Sequence, residues 1–160
     1  RSVSRGLGDV YKRQPYINDE KIKSLGGKKV NDIKEAVKEM DAISLHMPLN
    51  DETKNIVNYD LLRSMKTNCI VVNAARGGII NEVDLDKALR ENLIFGAGLD
   101  VFETEPPKSD NPLLKNDKVF LSPQTAAFTE ECMIRMGKET IQNIIDFFEK
   151  KLDKSKIIKL

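Results

Sequence analysis

Arg76 is the residue of this sequence best placed for chemistry. It follows Cys69-Ile70-Val71-Val72-Asn73-Ala74-Ala75 and precedes Gly77-Gly78. A guanidinium is a permanent cation whose planar fork of donors matches a carboxylate or a phosphate. Four consecutive apolar residues, three of them β-branched, predict a strand over Cys69–Val72 buried on both faces. In an open parallel α/β sheet, ligands gather at the carboxyl ends of the strands. Gly77 and Gly78 let the backbone turn sharply and leave room beside it for a small molecule. Taken alone, the stretch is equally a surface arginine before a Gly-Gly turn.

Three other positions invite the same question. Asp100 follows Gly98-Leu99 at the end of an apolar run, where a ligand or a simple loop cap would use a carboxylate. Glu105 precedes Pro106 and Pro107, which restrict its backbone. An isolated loop glutamate is more often solvated than catalytic. His46, the only histidine, ends the run Ala42-Ile43-Ser44-Leu45 just before Met47 and Pro48.

The elements that must position these residues alternate. Asn18 or Asp19 caps a short helix through Leu25, ended by Gly26-Gly27. Ile33, Ala36, Val37 and Met40 recur at helical spacing between Asp32 and Met40. A strand follows over residues 42–46. Asn58 caps a helix over 59–65 that leads into the Cys69 strand. Asn81 caps the next helix, through Arg90, with Glu82 and Asp84 in its first turn favouring the helix dipole. Residues 93–101 predict a strand, residues 119–122 a short last one, and Thr129 caps the longest helix. That helix carries an apolar stripe over Met133, Ile134, Gly137, Ile141, Ile144, Ile145 and Phe148. Strands alternating with helices predict an α/β fold: a parallel sheet with helices on both faces.

Composition narrows the class. The 160 residues are 40% apolar and 32% charged, which suits a globular domain with a proper core. No run approaches the roughly 18 apolar residues of a membrane span, and no secretory h-region is present. Cys69 falls in a strand and Cys132 in a helix, so a disulfide framework is not expected, and a reducing cytoplasm is. Residues 1–14 hold four of the 26 basic and one of the 25 acidic residues, leaving 22 against 24, or −2. Nothing in that remainder forms a basic face for nucleic acid.

Residues 1–14, Arg-Ser-Val-Ser-Arg-Gly-Leu-Gly-Asp-Val-Tyr-Lys-Arg-Gln, show neither helical nor strand periodicity and resemble translated adapter sequence. They are set outside the fold as a foreign leader. Gly6-Leu7-Gly8 inside them imitates a dinucleotide-binding glycine motif. No apolar strand precedes it and Pro15 follows too soon for a helix, so the match is read as accidental.

From Pro15 to about Lys151 the chain resembles the cofactor-binding domain of the D-isomer-specific 2-hydroxyacid dehydrogenases, the group that includes D-3-phosphoglycerate dehydrogenase. The matching pieces, in the family's order and spacing, are Ser44-Leu45-His46-Met47-Pro48-Leu49, Met65-Lys66, Val72-Asn73-Ala74-Ala75-Arg76-Gly77-Gly78, Gly98-Leu99-Asp100-Val101-Phe102-Glu103 and Glu105-Pro106. The resemblance implies a partial doubly wound, Rossmann-like dinucleotide-binding domain over residues 15–151, with a loosely ordered tail over 152–160. It also implies that the glycine-rich loop, the first two strands and part of a substrate domain would precede Pro15, making the chain an N-terminally truncated piece. The implied activity is hydride transfer between NAD(H) and a small D-2-hydroxy or 2-oxo acid, in a cytoplasmic homodimer, with NADP as cofactor left open. No metal, nucleic-acid or membrane partner is implied.

Residue by residue, Arg76 matches the substrate-binding arginine. Asp100 matches the acid that accepts from the nicotinamide carboxamide, and Glu105 the glutamate that pairs with a catalytic histidine. His46, Met47, Pro48, Ala74 and Ala75 match positions lining the nicotinamide side of the cofactor. The catalytic histidine itself is expected within Ser122-Pro123-x-Thr125, and there x is Gln124. A glutamine donates and accepts hydrogen bonds but exchanges no proton near neutral pH. The alternative is therefore an NAD(H)-binding relative that has lost turnover. Formate oxidation, which needs no acid, is disfavoured because that branch keeps the histidine and places glutamine at the Glu105 position.

Overall fold

The computed structural model describes residues 11–13 and 17–157, without the side chains of Tyr11 and Lys12. It divides into two units, residues 1–121 and 122–160. The first contains β1 (Tyr11–Lys12), α1 (Asp19–Ser24), β2 (Lys28–Lys29), α2 (Ile33–Ala36), β3 (Ala42–Leu45), α3 (Tyr59–Arg63), β4 (Ile70–Asn73), α4 (Glu82–Arg90), β5 (Gly96–Leu99), a 3₁₀ turn (Pro112–Lys115) and β6 (Val119–Leu121). The second holds α5 (Glu130–Phe148) and a short 3₁₀ turn (Lys154–Lys156).

β3, β4, β5 and β6 form one parallel sheet in chain order. Leu45 pairs with Asn73, Asn73 with Leu99, and Leu99 with Leu121. The four strands therefore end level, and His46, Ala74 and Asp100 leave the sheet from one edge. Side-chain caps start the helices where the sequence places them. Asn18 accepts from Lys21 N–H, Asn58 from Leu61 N–H, Asn81 from Asp84 N–H and Thr129 from Cys132 N–H.

The core lies on one face of the sheet. Val71, Ala97 and Leu99 pack with Leu61 and Leu62 of α3 and Leu85, Ala88 and Leu89 of α4. The opposite face departs from the expectation of a strand buried on both sides. Burial alternates along β4, and Ile70 and Val72 are 39% and 37% exposed. Those two residues line a shallow apolar trough with Phe95 and Phe120, because no described helix of this unit covers that side. Cys69 is fully buried and unpaired, and burial pushes its thiol up to about 11, so it stays protonated at neutral pH.

Other expectations shift at element ends. The helix expected to Met40 is regular only over Ile33–Ala36, after which looser turn bonds carry the chain to Met40. Within the leader placed outside the fold, Tyr11–Lys12 pair in parallel with Lys28–Lys29. Two residues suffice because a ladder needs backbone donors and acceptors, not side-chain periodicity. Residues 1–10 and 14–16, including the glycine motif and Gln14, lie outside the described residues. In the second unit, the tail is ordered through one turn. Asp153 accepts from Ser155 N–H at 2.9 Å, and Lys156 Nζ donates to Asn143 at 2.8 Å. Among the described residues no helix is long and apolar enough to cross a membrane.

Two measurements test this packing. Leu89 is fully buried in α4 and Val83, on the same helix, is 71% exposed. Leu89→Ala is expected to cost about 2–5 kcal/mol in denaturant unfolding, whereas Val83→Ala should stay within about 0.5 kcal/mol. Equal costs would show that α4 buries the other face. Asp86 ties α4 to the approach of β6, accepting from Arg90 Nε at 2.7 Å and Asn116 Nδ2 at 2.9 Å. The hydrogen bond from Arg90 holds its carboxyl below the usual range. A depressed folded value means the stabilisation is complete above the unfolded pKa of about 3.9 and fades as pH falls through the folded one. Asp86→Asn should therefore be less stable than the parent at pH 7, with a difference that narrows below about pH 3.9.

Candidate active site

The site begins where β4 stops. Asn73 is 2% exposed, and its side chain turns back onto the segment that follows. Its Nδ2 donates to the Arg76 carbonyl at 2.9 Å, and its Oδ1 accepts from Ala75 N–H at 3.1 Å. Ala74, Ala75 and Arg76 are thereby held in one tight turn. The Arg76 side chain is exposed, and its Nη1 donates to the Ala75 carbonyl at 2.6 Å. A guanidinium on a fixed loop at a strand end can grip a carboxylate in bidentate fashion.

The neighbouring loop is tied to the same residue. Asp100 N–H donates to the Asn73 carbonyl at 3.0 Å, and Asp100 is only 8% exposed. Further along, Glu105 is exposed and its Oε1 accepts from Phe102 N–H at 3.1 Å. Gly77 closes the space between the loops. A Cβ there would lie 1.7 Å from the Phe102 carbonyl oxygen and 2.6 Å from the Glu103 nitrogen. This corrects the expectation that the glycine leaves room for a ligand; the space is filled by backbone. Gly78 does serve the turn, at φ +78°, and its carbonyl accepts from Asn55 N–H at 2.8 Å.

The third loop follows β3. His46 is exposed and shares a 2.7 Å hydrogen bond between its Nε2 and Ser44 Oγ, the direction set by the tautomer. Met47 packs partly into the core, and the Pro48 carbonyl accepts from Thr53 Oγ1 at 2.7 Å. Because Leu45 and Asn73 are in register, His46 and Ala74 leave the sheet side by side. The first unit thus brings His46, Met47, Pro48, Ala74, Ala75, Arg76, Asp100 and Glu105 to one edge. Gln124 belongs to the second unit, where it is exposed with φ +55°. That left-handed backbone is uncommon outside glycine, asparagine, aspartate and histidine.

Sequence reasoning missed Asn73 as a site residue. Its signal is an asparagine at a strand end, the residue type whose side chain bonds the backbone two residues on.

Residues 6–126 match the family described as D-isomer specific 2-hydroxyacid dehydrogenase, NAD binding domain. The chain belongs to that family. Its sequence is 46% identical to the D-3-phosphoglycerate dehydrogenase of Methanocaldococcus jannaschii over 130 residues, 81% of this chain and 25% of that protein. Among solved structures, it resembles the D-lactate dehydrogenase with NAD+ of Lactobacillus jensenii, with TM-score 0.82 and 26% identity, covering 95% of this chain and 48% of that one. It also resembles an acyclic imino acid reductase in complex with NADPH and D-Arg, with TM-score 0.78 and 33% identity, covering 90% and 44%. The chain spans between a quarter and a half of the length of these relatives.

Membership in the family makes the loop contacts testable. Gly77→Ala is expected to destabilise the domain by about 2 kcal/mol or more, because backbone must move to admit the methyl group. Gly78→Ala should cost about 1–2 kcal/mol, the ordinary charge for a left-handed alanine. Denaturant unfolding of both variants ranks them. A harmless Gly77→Ala would show that the two loops are not in contact.

Proposed function

We propose that this chain is the cofactor-binding part of an NAD-dependent oxidoreductase acting on a small D-2-hydroxy or 2-oxo acid. The observation that carries the reading is the exposed Arg76 guanidinium on a turn fixed by Asn73, beside the buried Asp100. The nicotinamide end of a dinucleotide fits the residues present: Ala74 and Ala75 are small, and Asp100 offers a carboxylate at the strand edge. Bound NAD(H) supplies or accepts the hydride.

The chain's own residues do the rest. Arg76 takes the substrate carboxylate and so aims the neighbouring carbon at the cofactor. Asp100 would accept from the carboxamide of a bound nicotinamide, and Met47, Pro48, Ala74 and Ala75 would shield it from water. His46, braced by Ser44, leaves the sheet at the same edge. Glu105 stands where the family resemblance expects the glutamate that raises the pKa of a catalytic histidine and fixes its tautomer. The matched relatives are named as dehydrogenases and reductases, and none favours a role limited to cofactor binding. Work in the cytoplasm and assembly as a homodimer belong to this reading.

Gln124 decides the rate. Reduction of a 2-oxo acid needs a proton for the new alkoxide, and an amide has none to give. In a protein joining this chain to the remaining length of its relatives, NADH and 2-oxo acid binding should survive with Gln124, since no binding contact needs a proton. Gln124→His should raise kcat by about 10²–10⁴ and introduce a pH inflection set by the imidazole. The measurement is NADH consumption against pH with a panel of 2-oxo acids. Equal rates for the two proteins would mean that water or another side chain delivers the proton.

A further inference from the structure

Glu82 opens α4 and lies outside the residues that would touch cofactor or substrate. As a first-turn acid it needs no explanation beyond the helix dipole. Its carboxylate nevertheless reaches 21 residues ahead. Oε1 accepts from Glu103 N–H at 2.6 Å, and Oε2 accepts from Asn111 Nδ2 at 2.6 Å. These two partners bracket the segment that carries Glu105. Asn111 is anchored in turn, because its Oδ1 accepts from Leu113 N–H at 3.0 Å and Leu113 is fully buried. Gly77 presses on the Phe102–Glu103 backbone from the Arg76 side.

We infer that Glu82 is a positioning residue for this site: one carboxylate on α4 clamps both ends of the Glu103–Asn111 loop and so sets where Glu105 stands relative to Arg76. The inference rests on the dehydrogenase reading for its catalytic consequence and on geometry alone for the clamp. Residues 103–106 are exposed and contribute nothing to the core, so hydrophobic packing does not hold them. Their order comes from polar contacts, and charge-assisted ones are the strongest kind.

The clamp also has a definite polarity. A carboxylate offers two acceptors to two donors. A glutamine at position 82 can satisfy Glu103 N–H only by turning its amide nitrogen towards Asn111 Nδ2, donor against donor. Asn111 has no compensating flip, because its own oxygen is taken by Leu113 N–H. Asn111→Asp alone fails for the opposite reason, setting two carboxylates against each other. The two changes together restore the match with donor and acceptor exchanged and total charge kept.

The test is this four-member cycle: parent, Glu82→Gln, Asn111→Asp and both together. In the chain itself, amide exchange at Glu103 reads the clamp, since Glu103 is exposed and its N–H is protected by this bond. Each single change is expected to speed that exchange about tenfold or more, and the double change to return it close to the parent. Catalysis is then read in the Gln124→His background of the longer protein described above. Each single change should lower kcat about 10- to 100-fold with the KM for the 2-oxo acid within about twofold, because Arg76 is untouched. The double change should recover kcat, which a merely weakened fold would not do. Unaltered exchange in Glu82→Gln, or a double change that recovers neither readout, overturns the clamp. Recovered exchange without recovered kcat overturns its link to Glu105. Absence of turnover in all four, with the exchange pattern intact, overturns the dehydrogenase reading and the catalytic half of the inference while upholding the clamp.

Discussion

Beyond its place in the sheet ladder, Asn73 makes hydrogen bonds to two loops from a buried position. Its carbonyl takes Asp100 N–H, its side-chain oxygen takes Ala75 N–H, and its side-chain nitrogen gives to the Arg76 carbonyl. A buried polar group left without its partner costs about 1–3 kcal/mol, so all three bonds are kept or lost nearly together. The consequence is geometric. One residue converts the end of a strand into a fixed turn and joins it to the next strand's loop. Arg76 can then be both exposed and aimed, a combination that a loop arginine on its own lacks the contacts to maintain.

Around that point the domain uses backbone where side chains would be too large. Gly77 lets the Arg76 turn lie directly on Phe102 and Glu103, and Glu82 grips the same stretch from α4. The sheet supports this arrangement from a single packed face. Val71, Ala97 and Leu99 anchor the strands through α3 and α4, while Ile70, Val72 and Phe120 stay open on the other side. Glu82 meets the loop through polar contacts rather than through the core, so a change there can alter the loop without opening the packed face.

Gln124 shows a different economy. Its left-handed backbone is a conformation that a histidine tolerates more readily than most side chains. The glutamine side chain itself exchanges no proton near neutral pH.

Much of this protein was legible in its sequence. Asn18, Asn58, Asn81 and Thr129 cap helices where the residue types say they should, because a cap is a contact over three positions. The run Ile70–Val72 reads as a strand, and Arg76 and Asp100 read as strand-end residues, because alternation of strands and helices fixes which edge they leave from. The tertiary structure alone decided that β4 is covered on one side, that Gly77 meets backbone rather than ligand, that the Asn73 carbonyl takes Asp100 N–H and that Glu82 reaches Glu103 and Asn111. Each of those is a contact between residues separated by turns of unforeseeable path. Local pattern determines what a segment becomes; which atoms it then meets depends on how distant segments fold back on it.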